Sequence, residues 1–191
     1  MRIENKAPDL SIVIPIKNEE ERLPRTLARL RETLAEGDLD MEVILSDDAS
    51  HDQTKHIWQK FTPDLDIHFL EGHDSKGVGS AIRRGVARAR GDNILICDAD
   101  GAVPFDEVEN LIATLQQGFE IAAGSRYIKG SKILVAQPWQ RQMMGRLWRF
   151  LVGCIAPTGV KDTQCGFKLY ARATAQHTFA RTRSQSFGVR V

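Results

Sequence analysis

The stretch NILICDAD, residues 93–100, is an apolar run that ends in two carboxylates one residue apart. The run has the length of a buried strand, which places Asp98 and Asp100 at its carboxyl edge. A buried carboxylate without a partner is costly or stays protonated, whereas a divalent cation bridging it to a diphosphate would satisfy both anions. Acids are also common where a strand ends and a turn caps the next helix. The stretch by itself therefore leaves both interpretations open.

The chain around this stretch alternates short apolar runs with helical segments. Apolar runs of strand length occur at residues 10–14, 42–45, 67–70, 94–97 and 121–123. Between them, apolar residues recur at helical spacing over residues 23–34, 81–89 and 108–115. Continuous apolar strands that alternate with amphipathic helices are typical of a mostly parallel sheet covered on both faces. The predicted fold class is α/β, and past Gly130 the alternation is lost, so that the remainder is interpreted as an appended lobe.

Polar residues follow four of the predicted strands. In such sheets ligands bind beyond the carboxyl ends of the strands, where loops and helix N-termini converge. The candidate groups are Pro15, Lys17, Asn18 and Glu19 after the first run, Asp47, Asp48 and Ser50 after the second, Asp98 and Asp100 after the fourth, and Ser125, Arg126 and Tyr127 after the fifth. Ligand groups at four strand ends favour a binding site over a set of unrelated helix caps.

Two segments that follow predicted strands have specific patterns. The segment 47–54 opens a helix, so one of its acids or serines is expected to cap that helix, and a second carboxylate is then available to a nucleobase imide or a ribose hydroxyl. Asp48 is the residue predicted to make that contact. The segment 76–81 resembles a phosphate loop only loosely, which disfavours a dinucleotide-binding dehydrogenase or a phosphate-loop ATPase. We expect Gly77 and Gly79 to let a helix start close to the sheet near a nucleotide.

The composition limits the class of protein. With 191 residues and 42% hydrophobic content, the chain is expected to form one domain with a sizeable core. A net charge of +1 gives no overall drive towards nucleic acid. The polar residues 1–9 lack the apolar core of a secretory signal, and no run is long enough to span a bilayer. The three cysteines, Cys97, Cys154 and Cys165, lack metal-ligand spacing and indicate reduced thiols in a cytosolic protein.

A basic and aromatic segment follows the last predicted strand. Residues 129–149 include five lysines or arginines and no acid, and the overlapping segment 139–156 adds aromatic and aliphatic side chains such as Trp148 and Phe150. An interfacial helix that dips towards acyl chains and a core helix that closes the sheet both fit this pattern. Both interpretations stay open, and we expect a protein that is soluble or bound to a membrane surface.

Six motifs taken in order resemble glycosyltransferase family 2, and within it the branch of polyprenyl-phosphate (dolichyl-phosphate) glucosyl- and mannosyltransferases. The motifs are SIVIP at 11–15 with Asn18-Glu19, DDAS at 47–50, Gly77-x-Gly79 before a helix, Asp98-Ala99-Asp100, GSRY at 124–127 and DTQCGFK at 162–168. The resemblance extends from about Ala7 to Phe179. It implies a Rossmann-like GT-A fold and a transferase of a hexose, with the motif at 162–168 favouring glucose.

The resemblance also implies which residues bind the donor. Family members place the residues that match Pro15, Glu19 and Asp48 around the base and ribose of a nucleotide-diphosphate sugar, here of the UDP-glucose or GDP-mannose type. Lys17 stands where the mannosyl branch often has a tyrosine, so the identity of the nucleotide base in the donor stays open.

The metal and the phosphates have their own residues in the family. By resemblance, Asp98 and Asp100, with the backbone of Ala99, bind the diphosphate and its Mg²⁺ or Mn²⁺. Arg126 matches an arginine near the phosphates, including that of the lipid acceptor. Asp100 and Arg126 are therefore the residues expected to act in catalysis. A hard divalent ion prefers oxygen ligands and would neutralise the leaving diphosphate, which agrees with this assignment.

The expected acceptor explains the absence of an evident catalytic base in the sequence. A sugar hydroxyl would need a base to take its proton. A polyprenyl phosphate is already ionised near neutral pH, since phosphate monoesters have a second pKa of about 6. We expect in-line attack on the anomeric carbon with inversion, while positive charge builds on the sugar ring and the diphosphate departs.

The predicted organisation is a single GT-A domain over residues 1–191, with a nucleotide-sugar part at 7–127 and an acceptor-side part at 128–191. The chain stops at Val191 without the Trp-x-Phe-Asp pattern or the transmembrane segments of some relatives. We therefore expect a minimal or truncated enzyme, or an acceptor pocket completed by the lipid or by another subunit. The expected location is peripheral, at the cytoplasmic face of a membrane.

Two other functions fit the same motifs. One is a family 2 transferase that acts on a saccharide or a cell-wall acceptor. The other is a module that binds nucleotide-sugar without chemistry, which the short C-terminus favours. Neither involves nucleic acid.

Overall fold

A computed structural model describes residues 7–37, 39–125 and 165–182 of the chain. Within these residues, six strands and five α-helices follow one another. The strands are β1 Leu10–Ile16, β2 Met41–Asp47, β3 Asp66–Leu70, β4 Asn93–Cys97, β5 Ile121–Ala123 and β6 Phe167–Ala171. The helices are α1 Leu23–Glu36, α2 Thr54–Ile57, α3 Val78–Arg88, α4 Glu107–Gln116 and α5 Arg172–Arg181, and a 3-10 turn, Trp58–Phe61, continues α2.

The six strands form one sheet in the order β3-β2-β1-β4-β6-β5. β1 pairs in parallel with β2 and β4, and β2 pairs in parallel with β3. β6 runs antiparallel to both of its neighbours, β4 and β5. The prediction of an α/β fold with a mostly parallel sheet is confirmed, and each of the five predicted strands is present. The carboxyl ends of β1, β2 and β4 consequently share one edge of the sheet.

The central strands are buried on both faces. Ile12, Val13 and Ile14 are successive residues of β1, and each is at most 1% exposed. Because successive side chains of a strand point to opposite faces, both faces of the sheet are covered. Val13 belongs to the cluster that packs against α3 and α5. This is why the strands appear in the sequence as continuous apolar runs rather than as alternating ones.

The close approach of α3 to the sheet occurs at Gly85. A Cβ atom there would overlap Cγ1 of Val13, so only glycine lets the helix lie this near to β1. Gly77 has a different role, since it adopts a φ of +85° immediately before the helix, in the region that favours glycine. Close packing against the sheet is thus shown at Gly85, whereas for Gly79 it stays a prediction.

The prediction of an appended lobe past Gly130 is wrong for residues 167–181. β6 lies inside the sheet, between β4 and β5, and α5 follows it directly. Tyr170 of β6 and Phe179 of α5 are both buried, with ring centroids 5.6 Å apart in an edge-to-face arrangement. An antiparallel strand needs no preceding crossover helix of its own. The alternation of strands and helices that located the other strands therefore does not predict β6.

The contacts within the chain divide it into two units, residues 1–123 with 166–189, and residues 124–165 with 190–191. Several sequence-based predictions lie outside the described residues: Arg126, Tyr127, Cys154, the segments 129–149 and 139–156, and the first part of the motif at 162–168. The domain organisation predicted for residues 1–191 stays a prediction. In the part of the chain that the structure describes, no helix has the length and apolar character needed to cross a bilayer.

Candidate active site

The carboxyl ends of β1, β2 and β4 surround a cavity of about 300 Å³. All six predicted donor-site residues that the structure describes line it: Pro15, Glu19, Asp48, Asp98, Ala99 and Asp100. These residues come from three separate parts of the sequence, and the parallel pairing of the strands brings them together. The cavity also has two basic residues in its wall, Lys17 and Arg22, and the first turn of α3.

Asp98 is the most electrostatically unfavourable group of the cavity. Burial, followed by the negative charges of Asp100 and Glu19, raises the pKa of Asp98 to about 6, against a smaller lowering by Lys168. Three carboxylates thus approach one another, and the nearby cations Lys168 and Arg22 offset only part of the rise in the pKa values of Asp98 and Glu19. Such an arrangement costs folding free energy and is characteristic of sites that bind a cation.

Gly166 makes room for the Asp98 carboxylate. A Cβ atom at position 166 would overlap Oδ2 of Asp98 and would lie 2.5 Å from its Cγ. The residue immediately precedes β6, which pairs with β4 through Cys97 and Phe167. The motif at 162–168 therefore contributes a backbone surface against which Asp98 packs. The motif is a family feature in the sequence, but nothing in its pattern indicates the contact between Gly166 and Asp98.

Glu19 is paired with an arginine that the sequence did not single out. Arg22 Nε lies 2.6 Å from Glu19 Oε2, and Arg22 Nη2 donates to Oε1 at 2.9 Å. Burial nevertheless raises the pKa of Glu19, with Arg22 acting in the opposite direction and Asp100 adding to the rise. Spacing of three residues at the start of a helix was the available signal for this pair.

The loop after β1 is locked to the loop after β2. Asn18, with a φ of +53°, accepts the His51 N–H at 2.9 Å through its side-chain oxygen, and its own N–H donates to Ser50 Oγ at 2.9 Å. The Glu19 N–H donates to Thr54 Oγ1 at 2.8 Å. These reciprocal hydrogen bonds fix the backbone of Glu19, and hence the direction of its carboxylate relative to the cavity.

Asp47 and Asp48 divide two tasks, as the paired acids suggested. Asp47 accepts the N–H of Ser50 at 3.1 Å and also its hydroxyl, which closes the turn that follows β2. Asp52 lies just before the N-cap residue of α2, Gln53, and its Oδ1 accepts the Thr54 N–H at 3.0 Å; Gln53 itself makes no side-chain capping hydrogen bond. Asp47 is therefore a turn residue, and Asp48 is free of the turn.

Asp48 is 5% exposed and holds the loop that precedes α3. Its Oδ1 accepts the Lys76 N–H at 2.8 Å and the Gly77 N–H at 3.1 Å, and its Oδ2 accepts the Ser75 hydroxyl at 2.9 Å. The Lys17 ammonium lies 3.6 Å from the same Oδ2. A nucleobase that bonds to Asp48 would therefore have to compete with donors that are already in place.

The cavity has the donor chemistry of a magnesium or manganese site. In the described part of the chain, no three His, Cys, Asp or Glu side chains form a ready-made metal cage. Mg²⁺ is commonly bound by one or two carboxylates together with substrate phosphates, and Asp98 and Asp100 supply two hard oxygen donors in the same cavity. Burial, followed by repulsion from Asp100 and Glu19, raises the Asp98 pKa, and a bound divalent cation would offset both effects. The residues present therefore fit such an ion.

The sequence of this chain is similar to the sequences of known transferases. The model of Glycosyl transferase family 2 matches residues 11–179. Dolichyl-phosphate beta-glucosyltransferase of Homo sapiens is 35% identical over 186 residues, which covers 90% of this chain and 57% of the human protein. Dolichol-phosphate mannosyltransferase of Pyrococcus furiosus is 32% identical and covers 80% of this chain and 42% of that protein. The chain spans about half the length of the curated relatives it matches.

Solved structures have the same fold. Glucosyl-3-phosphoglycerate synthase of Mycobacterium tuberculosis, in complex with UDP, aligns with a TM-score of 0.63 at 19% identity, over 87% of this chain and 57% of that one. The mannosyltransferase PcManGT of Pyrobaculum calidifontis, in complex with GDP-Man and Mn²⁺, aligns with a TM-score of 0.62 at 18% identity, over 91% and 47%. At these identities the likeness concerns the fold, and it confirms the predicted GT-A architecture.

Proposed function

The chain belongs to glycosyltransferase family 2, and from this premise we propose that it transfers a hexose, glucose, from a nucleotide-diphosphate sugar to a polyprenyl or dolichyl phosphate. The relatives named dolichyl-phosphate beta-glucosyltransferase support this acceptor and sugar. Since the chain spans about half of their length, the activity of the whole relatives comes to this chain as a proposal and needs its own test.

One observation carries the proposal. The carboxylates of Glu19, Asp48, Asp98 and Asp100 face a single cavity at the carboxyl edge of a parallel sheet. That edge is where ligands bind in open α/β sheets. A site rich in carboxylates repels a diphosphate unless a divalent cation stands between them, so the charge of the cavity favours a metal–diphosphate substrate over an anion alone.

Within this proposal each residue has one task. Asp98 and Asp100 hold Mg²⁺ or Mn²⁺, which when bound would supply positive charge to the departing diphosphate. The backbone of Ala99 contacts the diphosphate beside them, and the side chains of Pro15 and Glu19 contact the base and the ribose. Asp48 supplies the carboxylate for the base after releasing part of the loop at 75–77. Arg126, which lies outside the described residues, is assigned to the phosphates of the donor and the acceptor.

The acceptor phosphate requires orientation more than deprotonation. A phosphate monoester is largely dianionic at neutral pH, so no side chain has to remove a proton from the nucleophile. The residues of the cavity then act by holding the donor so that its anomeric carbon faces the acceptor. We infer in-line displacement with inversion, in which the sugar carries positive charge as its bond to the diphosphate lengthens.

The segments 129–149 and 139–156, within the predicted acceptor-side part at 128–191, are proposed to lie at the cytoplasmic face of a membrane. The cations and aromatic residues of the segments 129–149 and 139–156 support this assignment. Replacing Trp148 and Phe150 together with serine is expected to reduce cosedimentation with liposomes that contain anionic lipid. A folded double variant that binds liposomes like the unsubstituted protein would remove the membrane role and leave donor binding untouched.

A direct assay tests the transferase. The full chain is incubated with UDP-glucose or GDP-mannose, Mg²⁺ or Mn²⁺ and a short-chain polyprenyl phosphate, and any glycolipid is identified by its mass. We expect a hexosyl polyprenyl phosphate, with an inverted anomeric configuration that its NMR coupling constants report, and with formation abolished by EDTA and by Asp100→Asn. Asp106→Asn, which changes an exposed carboxylate in the next turn, is the matched control and is expected to leave turnover unchanged.

The same assay distinguishes the alternatives. Transfer to a soluble saccharide with none to polyprenyl phosphate would identify a saccharide transferase. Metal-dependent binding of the nucleotide-sugar without transfer to either acceptor would identify a binding module. Absence of any binding would contradict the donor site itself.

A further inference from the structure

The loop that carries Asp98 and Asp100 is anchored to α1 at two points. The Thr26 hydroxyl donates to the carbonyl oxygen of Ala99 at 2.7 Å, and Arg29 Nη1 donates to the carbonyl oxygen of Gly101 at 2.8 Å. These two carbonyls belong to the residues on either side of Asp100. Side chains from a single helix therefore hold the residue before Asp100 and the residue after it.

The helix that supplies these donors is a rigid reference. Leu23, Leu27 and Leu30 of α1 have no exposed surface, so the helix is fixed against the sheet along its length. Thr26 is 1% exposed, and its hydroxyl lies within this packed surface. Thr26 and Arg29 are three residues apart and thus occupy the same side of the helix. Neither of them lines the cavity.

The loop needs such support for an electrostatic reason. Asp98, Asp100 and Glu19 line the same cavity, and their like charges push the segments that carry them apart. Within the loop, Asp100 Oδ1 accepts the Ala102 N–H at 3.0 Å, which is a local bond and does not tie the loop to the rest of the fold. Gly101 has a φ of +58°, and a Cβ there would lie 3.0 Å from Thr26 Oγ1. The glycine therefore lets the loop reach the helix.

We propose that Thr26 and Arg29 are positioning residues that fix the backbone on both sides of Asp100, so that Asp98 and Asp100 present their carboxylates together to a divalent cation and a diphosphate. This inference rests on the proposed function of the same cavity. Side chains that orient metal ligands typically change metal affinity by about 10- to 100-fold when they are removed, although they touch neither metal nor substrate.

The helix offers matched controls for both residues. Thr33 Oγ1 donates to the Arg29 carbonyl at 3.2 Å, a bond within the helix that does not reach the loop, so Thr33→Val is the control for Thr26→Val. Arg31 pairs with Asp64 at 3.5 Å on the exposed side, so Arg31→Met is the control for Arg29→Met. Thr26→Ser retains the hydroxyl and is expected to rescue the function that valine removes.

The decisive measurement is the affinity for Mn²⁺ in the presence of UDP or GDP. It is determined from the electron paramagnetic resonance signal of the free ion. We expect Thr26→Val and Arg29→Met to weaken Mn²⁺ binding at least about tenfold, and Thr26→Ser to stay within about threefold of the unsubstituted protein. The two control variants are expected to match the unsubstituted protein. Arg29 is exposed, so its variant keeps the test open should Thr26→Val fail to fold. Unchanged Mn²⁺ affinity in both Thr26→Val and Arg29→Met would overturn the inference.

A second measurement requires no ligand. Hydrogen–deuterium exchange of the backbone at residues 99–102 is expected to be faster in Thr26→Val and Arg29→Met than in the unsubstituted protein, and unchanged in Thr33→Val. If the unsubstituted protein bound neither nucleotide nor Mn²⁺, the proposed function would fail while the exchange data still decided the role of the two anchors. Equal exchange in all variants would overturn the anchoring role by itself.

Discussion

Glu42 and Asp98 are carboxylates at opposite ends of the strands of one sheet, and their surroundings are opposite. Glu42 lies near the amino end of β2 and has no exposed surface, whereas Asp98 follows the carboxyl end of β4 and faces the cavity. Glu42 is buried and Asp98 is half-buried. The comparison shows what distinguishes a carboxylate that stabilises a fold from one that is available to a ligand.

Glu42 is surrounded by donors. Oε1 accepts the Ser11 hydroxyl at 2.6 Å and the Arg90 N–H at 2.7 Å, and Oε2 accepts Arg90 Nε at 3.0 Å. The Ser11 oxygen in turn accepts the Gly91 N–H at 2.8 Å. Burial raises the pKa of Glu42, but these hydrogen bonds and the Arg90 charge together lower it below its ordinary value. The network ties β1, β2 and the start of β4 together.

Asp98 has the reverse balance. Burial and two neighbouring carboxylates raise its pKa to about 6, and Lys168 offsets only part of that rise. At the amino ends of the strands, hydrogen bonds and the Arg90 charge therefore outweigh the effect of burial on Glu42. At the carboxyl ends, the effect of burial on Asp98 is offset only in part. Folding tolerates the second arrangement because the rest of the sheet supplies the stability, and a cation bound beside Asp98 would offset the remaining negative charge.

The largest effect is expected from Asp98→Asn, which removes the charge without changing the shape. We expect turnover to fall by about a thousandfold, because a metal ligand is lost. In buffer with EDTA, the free energy of unfolding is expected to rise by about 1 kcal/mol, because repulsion in the cavity is relieved. Chemical denaturation and the glycolipid assay measure the two quantities, with Asp106→Asn as the control. A variant that lost stability and kept turnover would contradict the proposed contrast between the two edges.

Glu42→Gln is expected to have the opposite signature. Loss of the charge weakens hydrogen bonds from Ser11 and Arg90, and we expect the free energy of unfolding to fall by about 2–4 kcal/mol. Turnover per folded molecule should stay near that of the unsubstituted protein, because the residue lies at the edge away from the cavity. Urea denaturation measures the stability, and Glu32→Gln on the exposed side of α1 is the control. Equal stability of the two glutamine variants would show that the Glu42 network is unimportant.

Gly166→Ala tests the space that the cavity reserves for Asp98. The added methyl group would overlap the carboxylate, so either Asp98 or the start of β6 has to move. We expect a loss of about 1–3 kcal/mol in stability and a loss of Mn²⁺ affinity in the presence of nucleotide. Gly37→Ala is the control, since a Cβ there meets only the Thr33 carbonyl at 3.5 Å. Unchanged Mn²⁺ affinity in Gly166→Ala would separate this glycine from the site.

The smallest effect is a dependence on pH. The folded-state pKa of Glu42 is lowered below its ordinary value of 4.5, so its charged form stabilises the fold above that value. This contribution is lost as the pH falls through the folded-state pKa. The stability gap between the unsubstituted protein and Glu42→Gln is therefore expected to be full at pH 7 and to narrow by roughly 1 kcal/mol between pH 5 and pH 3. Denaturation curves at several pH values measure the gap, and a gap that widened on acidification would reverse the sign of the argument.

The strands of the sheet were predictable because burial on both faces produces an unmistakable local pattern. The runs at residues 10–14 and 94–97 each coincide with a strand, and their polar ends meet at one edge. Parallel pairing makes this convergence a consequence of the fold class itself. This is why the sequence alone predicts that Asp98, Asp100 and Glu19 share one site.

The contacts that tune the site were not predictable in the same way. Thr26 and Ala99 are 73 residues apart in the chain, and a threonine on an amphipathic helix has no feature that indicates which carbonyl it will meet. Gly166 resembles any glycine that precedes a strand. Phe167–Ala171 is a strand because of antiparallel pairing with β4 and β5. No local pattern in the sequence predicts this pairing.

The sequence by itself determined the α/β class, the family and the set of acids beyond the strand ends, because apolar periodicity and motif order are properties of short segments. The tertiary structure alone decided which buried acid is satisfied and which is left charged in a cavity. Glu42 and Asp98 are both acids beside apolar residues in the sequence, and only the donors brought to each by distant parts of the chain separate their roles. Electrostatic free energy depends on distances between groups, and those distances exist only once the sheet is assembled.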